Sequence, residues 1–152
     1  MIEGKNIGLA EARKIIDAML EYANMTQSKE PTMGPMSFAV VDSAAVLVCF
    51  ARMDGANLLN REMAENKAYT AIAWKRDTRE INRLLEEPTL TIKLNLQSFS
   101  ACGPQTHIPG GNLLRTSDGS IVGAVGSSGR IPDEDEEVSL AGVRAFEESL
   151  QE

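Results

Sequence analysis

Apolar positions follow a helical period at the start of the chain and form strand-like runs shortly after it. Over residues 8–26, apolar side chains recur every three or four positions, which predicts an amphipathic helix. Two short apolar runs, 36–41 and 46–51, flank a turn that begins at Asp42 and predict a β-hairpin. The three-to-four spacing returns over residues 58–76 and predicts a second helix.

The second half of the chain alternates between helix signals and turn signals. Asp77, with Glu80 three residues later, has the pattern of a capping box and predicts the start of a short helix. The dipeptide Asp118-Gly119 is a strong hairpin signal. The elements predicted after the short helix are a strand over 96–101, strands over 112–115 and 120–125, and a final helix over 133–150.

The order of these elements indicates the fold class. A helix, two strands, helices, three strands and a final helix follow one another, and the strands arrive in hairpins rather than in βαβ repeats. This order favours an α+β fold, in which helices pack on an antiparallel sheet. A chain of 152 residues, 43% hydrophobic and 24% charged, has the size and composition of one globular domain spanning 1–152.

The formal net charge of -7 makes nucleic acid a poor partner, because an acidic surface repels the phosphate backbone. The densest acidic run, 133–137, opens the predicted final helix, where it complements the helix dipole. The sequence shows neither a secretion signal nor an apolar stretch long enough for a membrane span. We therefore expect a cytoplasmic protein with no membrane partner, whose Cys49 and Cys102 stay reduced.

Charged side chains occur at a predicted strand end and on a predicted apolar helix face. Arg52 could hold a carboxylate by a two-pronged contact, and the alternative is a local ion pair with Asp54. Lys67 and Thr70 are three residues apart and share a helix face that is otherwise apolar. The ammonium of Lys67 therefore either reaches the surface along its apolar stem or projects into a cavity.

The loop 102–111 contains His107, the only histidine of the chain. A lone histidine in a loop of glycine and proline is more often a surface residue than a ligand, yet histidine titrates near neutral pH and is the commonest metal ligand. Zinc sites built from three histidines or from several cysteines are excluded, because the chain has too few of either. The glycines of 123–129 do not match a dinucleotide-binding loop.

Seven short motifs follow one another along nearly the whole chain, and their order is more specific than any one of them. They are Leu9-Ala10-Glu11-Ala12, Ala39-Val40-Val41-Asp42, Ala51-Arg52-Met53-Asp54-Gly55-Ala56, Asn66-Lys67-Ala68-Tyr69-Thr70-Ala71, Pro109-Gly110-Gly111, the run 121–129, and Asp135-Glu136 with Ala141-Gly142. The ordered set resembles the GlcG/HbpS-like family. That family includes glycolate-operon accessory proteins, a haem-binding sensor and the C-terminal domain of a propanediol-utilisation cobalamin adenosyltransferase.

The resemblance implies a profilin-like α/β/α sandwich, in which helices cover both faces of a five-stranded antiparallel sheet. It also implies homo-oligomers. The ligand pockets it implies lie near the helix that carries Lys67 and Thr70 and near Gly110 and Gly111. Some members bind haem or other tetrapyrroles, so the resemblance implies a small-molecule ligand.

Two functions of different classes follow, and the sequence leaves both open. The first is binding of haem or a related planar cofactor, whose iron needs an axial ligand from the protein. His107 is the first candidate for that ligand, before Met53 and Cys102. An apolar slot around the cofactor would be formed by Met63, Leu59, Trp74 and Phe99.

The alternative is a cofactor-independent enzyme of a catabolic pathway, a lyase, isomerase or hydrolase acting on a small organic acid. Arg52 would bind the carboxylate, and the backbone N–H groups of Gly110 and Gly111 would stabilise an oxyanion. The candidates for moving a proton are His107, Glu65 and Asp54. An accessory subunit with a vestigial pocket is the third possibility, because a fold does not by itself imply a function.

Overall fold

The structure, a computed structural model, describes residues 6–87, 89–97 and 105–152. Within these ranges, no helix is both long enough and apolar enough to cross a membrane. The helices are α1 (Leu9–Met25), α2 (Leu58–Trp74), α3 (Thr78–Leu84), α4 (Leu90–Gln97) and α5 (Pro132–Ser149). The strands are β1 (Ser37–Asp42), β2 (Leu47–Arg52), β3 (Gly111–Arg115) and β4 (Ile121–Ser128).

The strands form one antiparallel sheet in the order β2-β1-β4-β3. β1 and β2 make one hairpin, and β3 and β4 make another. The two hairpins join where β1 pairs with β4, with Ser37 opposite Ser128 and Asp42 opposite Gly123. The predicted α+β layout with an antiparallel sheet is therefore confirmed.

The expectation of five strands is wrong for the described part of the chain, which contributes four strands to the sheet. The strand predicted over 96–101 begins inside α4, and 98–101 lie outside the described residues. A short apolar run does not distinguish strand from helix by periodicity alone. Thr89 Oγ1 accepts a hydrogen bond from Ile92 N at 3.3 Å and caps the start of α4. The helix then continues to Gln97.

Successive residues of β1 face two different cores, as the two-residue period of a strand requires. On one face, Phe38 and Val40 pack in a cluster with the buried side chains of α1 and α5. On the other face, Val41 packs with Ala68 and Ala71 of α2. Helices therefore cover both faces of the sheet, in the three-layer arrangement that the resemblance implies; the profilin-like description stays a prediction.

Small residues bring α2 close to the sheet. A Cβ at Gly126 would overlap the carbonyl of Ala64, and one at Gly111 would overlap the carbonyl of Lys67. Leu59, which we expected to line an apolar slot, is 60% exposed. The buried residues of α2 are Ala64, Lys67, Ala68, Thr70 and Ala71.

Two aspartates mark predicted element boundaries, and they act differently. Asp42 Oδ1 accepts hydrogen bonds from Ala44 N at 2.9 Å and Val46 N at 3.0 Å, so its predicted turn role is confirmed. Asp77 precedes α3 as predicted, but its side chain does not cap that helix. Its Oδ1 instead accepts from Leu113 N at 2.8 Å and ties the start of α3 to β3.

β4 is longer than its apolar pattern predicts. We expected a strand over 120–125 followed by a glycine-serine exit, whereas β4 continues to Ser128. The extra residues stay in the ladder because β1 continues opposite them, with Ala39 opposite Gly126. Backbone pairing rather than side-chain hydrophobicity therefore sets the end of this strand.

Candidate functional site

The segment that leads into β3, residues 105–110, lies along α2 and is fixed to that helix by consecutive contacts. Gln105 Oε1 accepts a hydrogen bond from the indole Nε1 of Trp74 at 2.9 Å. The backbone N–H of Thr106 donates to Thr70 Oγ1 at 2.9 Å. The ring of His107 then meets the ring of Trp74 edge to face, with centroids 6.0 Å apart and planes at 75°. These contacts place His107 beside the second half of α2.

His107 is half-buried, and this burial lowers the pKa of its imidazole below the ordinary value of 6.5. At neutral pH the ring is therefore neutral and keeps one nitrogen lone pair. A neutral imidazole can bind a metal or a haem iron, and it can also accept a proton. The position of His107 is thus compatible with both of the functions that the sequence left open.

A buried ion pair lies one helical turn away from Thr70. Lys67 Nζ donates to Asp135 Oδ2 at 2.8 Å and to the carbonyl oxygen of Ser127 at 2.9 Å. The second carboxylate oxygen of Asp135 accepts from Arg130 N at 2.9 Å. The side chain of Lys67 is 0% exposed, so its ammonium lies inside the protein and does not reach the solvent.

Burial acts on both members of this pair. It raises the pKa of Asp135 to about 6, although the charge and hydrogen bond of Lys67 favour the carboxylate. It lowers the pKa of Lys67 below 10.5, although Asp135 opposes the change. Both shifts have one cause, since a low-dielectric surrounding disfavours charge on either partner. Asp135 is therefore sensitive to protonation slightly below neutral pH.

Gly110, just before β3, and Gly111, its first residue, are buried beside the ion pair. The carbonyl oxygen of Gly110 accepts from Ser127 N at 3.0 Å and from Ser139 Oγ at 2.7 Å. Gly110 has a φ of +121°, a conformation that favours glycine. The N–H of Gly111 donates to Thr78 Oγ1 at 2.9 Å. That N–H, which we expected to stabilise an oxyanion, is therefore already engaged within the protein.

Arg52 lies away from this cluster. It ends β2, at one edge of the sheet, and is exposed, whereas Gly111 begins β3 at the opposite edge. Three inter-strand steps separate these edges, roughly 14 Å at the usual strand spacing. Asp54 is exposed in the turn that follows β2. The structure therefore does not bring Arg52 and Asp54 together with the glycines as a small-acid site requires.

The other predicted site residues are spread over the fold. Met53 packs against the core on the α1 side, and its Sδ accepts from Met36 N at 3.4 Å. Met63 and Glu65 are half-buried in α2, N-terminal to Lys67. Two candidates lie outside the described residues, Phe99 and Cys102. Contact with a ligand stays a prediction for Met53, Met63, Thr70, Gly110 and Gly111, whereas the side chain of Lys67, for which we also expected it, is enclosed in the protein.

Sequence reasoning missed Asp135. We interpreted the acidic run 133–137 as capping and solvating the final helix, and the run alone does not indicate which carboxylate turns inward. The signal that could have found it is Lys67, because a lysine on an apolar helix face needs a buried counter-charge. Ser127 and Ser139, whose hydroxyl oxygens lie 2.6 Å apart beside the pair, carry no such signal.

Within the described ranges, no group of three or more histidine, cysteine, aspartate or glutamate side chains could hold a metal ion. A haem iron makes a smaller demand on the protein, since the tetrapyrrole supplies most of its ligands and a single axial side chain can suffice. His107 alone could meet that demand. The described residues are therefore compatible with a haem.

A protein-family model described as "Haem degrading protein HbpS-like" matches residues 7–144 of this chain. A curated relative is also similar, an uncharacterized 15.0 kDa protein in the dhaT-dhaS intergenic region of Citrobacter freundii. The two are 30% identical over 114 residues, which is 75% of this chain and 78% of that protein.

Solved structures share the fold. HbpS is 27% identical, with a TM-score of 0.74 over 95% of this chain and 92% of its own. PduOC, crystallised as a heme complex, is 24% identical, with a TM-score of 0.76 over 92% of this chain and 94% of its own. At that identity the likeness to PduOC is one of fold alone.

Proposed function

This chain belongs to the HbpS-like family, and from that premise we propose that it binds haem or a closely related tetrapyrrole, with His107 as the protein's ligand to the iron. The description of the family model, which names haem, supports the proposal. So does the crystallisation of PduOC, a protein of the same fold, as a heme complex.

The observation that carries the proposal is the state of His107. It is the only histidine of the chain, it is half-buried, and burial lowers its pKa so that the ring is neutral at pH 7. Gln105 and Thr106, the residues directly before it, are both hydrogen-bonded to α2. The neutral imidazole therefore carries a nitrogen lone pair, and the two residues before it fix its place beside α2.

The surroundings of His107 also fit a flat, mainly apolar ligand. Trp74 meets the imidazole edge to face, and Ile108, the next residue along the chain, is 38% exposed. Leu59, an expected wall of the slot, is 60% exposed and could cover a ligand only from the surface. Met63, half-buried on the same helix, stays a predicted wall of the slot.

The protein's own contribution is to bind the haem and to orient the side chain that holds its iron. His107 would hold the iron through one nitrogen, Trp74 would keep the imidazole in its plane, and Gln105 would fix Trp74 through the indole N–H. Bound haem would supply a redox-active iron whose reactivity depends on that axial ligand. The half-buried position would limit the access of water to the iron.

An absorbance titration with hemin tests the proposal. For the wild-type protein we expect a saturable Soret shift at one hemin per subunit. For His107→Ala we expect a different Soret position and an affinity lower by about tenfold or more, equivalent to about 1.4 kcal/mol for each factor of ten. The measurement is the change in absorbance against hemin concentration at fixed pH.

Arg52→Ala is the matched control, because Arg52 is exposed at the opposite edge of the sheet. Its titration should superimpose on that of the wild type. Weak, non-saturating binding that is the same in all three proteins would contradict haem as the ligand.

We also propose that the chain forms a homo-oligomer. Strand β2 lies at an edge of the sheet, and an edge strand offers unpaired backbone groups for association. Large apolar side chains are exposed at the start of this strand and at the start of α2. They are Val46, Leu47, Leu58 and Leu59, with exposed fractions of 60%, 40%, 65% and 60%.

A further inference from the structure

The buried pair of Lys67 and Asp135 lies against the segment that carries His107. We propose that these two side chains are positioning residues of the ligand site. They fix the position of Gly110 against α2, and the position of Gly110 in turn fixes that of His107. Neither side chain of the pair touches the ligand. The inference rests on the proposed function, because the site that the pair serves is the one assigned there to haem.

The backbone of Gly110 rests directly on the pair. A Cβ at Gly110 would lie 3.0 Å from Lys67 Nζ and 3.1 Å from Asp135 Cβ, so only glycine fits this approach. The carbonyl oxygen of Gly110 accepts from Ser127 N and from Ser139 Oγ. Any movement of the pair would therefore move Gly110, which is three residues from His107.

The pair is enclosed in the protein and bonds to protein groups on both sides. Lys67 Nζ donates to Asp135 Oδ2 and to the carbonyl of Ser127, and Asp135 Oδ1 accepts from Arg130 N. The two side chains are 0% and 3% exposed. Ser127 Oγ donates to the backbone oxygen of Asp135 at 2.6 Å, which fixes the first turn of α5 to β4. The geometry thus favours positioning over contact with the ligand.

One turn of α2 holds the segment at two points. Thr70 Oγ1 accepts from Thr106 N, on the N-terminal side of His107, and Thr70 itself donates to Asn66 O at 2.7 Å. Lys67, three residues earlier on the same helix, faces Gly110 on the C-terminal side. His107 lies between these two attachments, so its position depends on both.

Charged groups approach Asp135 from several elements. Lys67 comes from α2, and Arg130 comes from the connection between β4 and α5.

The neighbouring carboxylates on α5 are engaged elsewhere. Arg79 of α3 pairs with Asp133 and Glu136, and Glu134 accepts from Ser28 Oγ at 2.6 Å and from Lys29 N at 2.9 Å.

The double variant Lys67→Met/Asp135→Asn tests the proposal. It keeps the shapes of both side chains and leaves no lone buried charge, a change that folded proteins often tolerate. The chain has one histidine and one tryptophan, and both are in the site, so the NMR signals of the His107 imidazole and the Trp74 indole N–H report on it uniquely. These signals are measured in the protein without haem.

We expect both signals to shift in the double variant, and the pKa of His107 to move back toward 6.5, because the imidazole becomes less buried when the segment loosens. Hemin affinity should fall by about tenfold to a hundredfold, the usual cost of losing a partner that orients a metal ligand. Glu134→Gln is the control. It changes a buried carboxylate next to Asp135 that does not touch the segment, and should leave both signals in place.

Unchanged His107 and Trp74 signals in a folded double variant would overturn the positioning role, whatever the hemin result. Shifted signals in a protein whose wild type does not bind hemin would support the positioning role and contradict haem as the ligand. If the double variant does not fold, Lys67→Met alone is used at pH 5–6 (~1 unit below neutral or more), since the buried Asp135 can then be protonated and can still accept from Arg130 N. The His107 and Trp74 signals of that variant then test the positioning role in the same way.

Discussion

At the scale of single residues, burial determines how the ionisable groups of the site behave. It raises the pKa of Asp135 to about 6 and lowers the pKa values of Lys67 and His107. The three groups differ in what surrounds them, since Asp135 and Lys67 face each other and His107 faces Trp74. The pKa of the acid rises and those of the two bases fall because burial disfavours the charged form of each, and substitution of Asp135 or of His107 separates these effects.

Asp135 should make stability depend on pH. Its pKa rises from 3.8 to about 6 on folding, so the native state binds the proton more tightly. Such a group stabilises the fold at acid pH, and this contribution is lost as pH rises through that window. The quantity to follow is the unfolding free energy of the wild type minus that of Asp135→Asn. We expect this difference to fall by up to about 3 kcal/mol between pH 3.8 and about pH 6, and to level off above that range.

Urea unfolding of both proteins at a series of pH values between 4 and 7.5 measures this difference (~0.5 unit steps suffice). The titration of His107 is common to both proteins and drops out of the comparison. A difference that stays constant, or one that grows as pH rises, would contradict a raised pKa for Asp135.

His107 should make hemin binding depend on pH in the opposite sense. Its pKa is below 6.5, and protonation occupies the lone pair that would bind the iron. At pH values above the pKa of His107 we expect hemin affinity to be constant. Below that pKa we expect the affinity to fall by about tenfold for each unit of pH. Hemin titrations of the wild type from neutral pH downward measure the effect, and the residual binding of His107→Ala should not show this dependence.

At the scale of elements, the distance between α2 and the sheet is set by glycine and alanine. The Ala64 carbonyl faces the Cα of Gly126, and the Lys67 carbonyl faces that of Gly111, so neither position has room for a side chain. The Lys67 ammonium can reach Ser127 and Asp135 only because the helix backbone lies this close to β4. The packing of one element therefore determines the geometry of the site.

Gly126→Ala should consequently destabilise the fold. The added Cβ would meet backbone atoms of α2, which move only if the whole helix moves. We expect a loss of about 1–3 kcal/mol, the usual cost of overpacking a core. Gly34→Ala is the matched control, because nothing lies within 4 Å of the Cβ it would add, and its urea midpoint should stay near that of the wild type.

At the scale of the whole molecule, the exposed apolar side chains near β2 lead us to expect self-association. Leu47→Glu places a charge at this edge and should shift the protein toward a smaller species in sedimentation velocity. Leu150→Glu is the control, since Leu150 is 41% exposed, compared with 40% for Leu47, but lies after α5. A wild type that sediments as a monomer at all concentrations would contradict the homo-oligomer.

The sequence predicted local features of this fold better than long-range ones. The helical period found α1 and α2 within two residues of their ends, and Asp42 forms the turn that its residue type favours. Lys67 and Thr70 share a buried face of α2, as their spacing predicts, whereas the predicted end of β4 was wrong because it depends on an element distant in the chain. Asp135 was missed for the same reason, since its role is defined by Lys67.

The pairing of β1 with β4 also has a consequence for how the chain folds. Each hairpin closes locally, whereas the central ladder joins Asp42 to Gly123 across most of the chain. Pairings between such distant residues slow folding, because the intervening chain must lose its freedom before they form. We therefore expect the pairing of β1 with β4 to be the slow step of folding. The ion pair, whose members come from α2 and from the helix after β4, closes only when that pairing is complete.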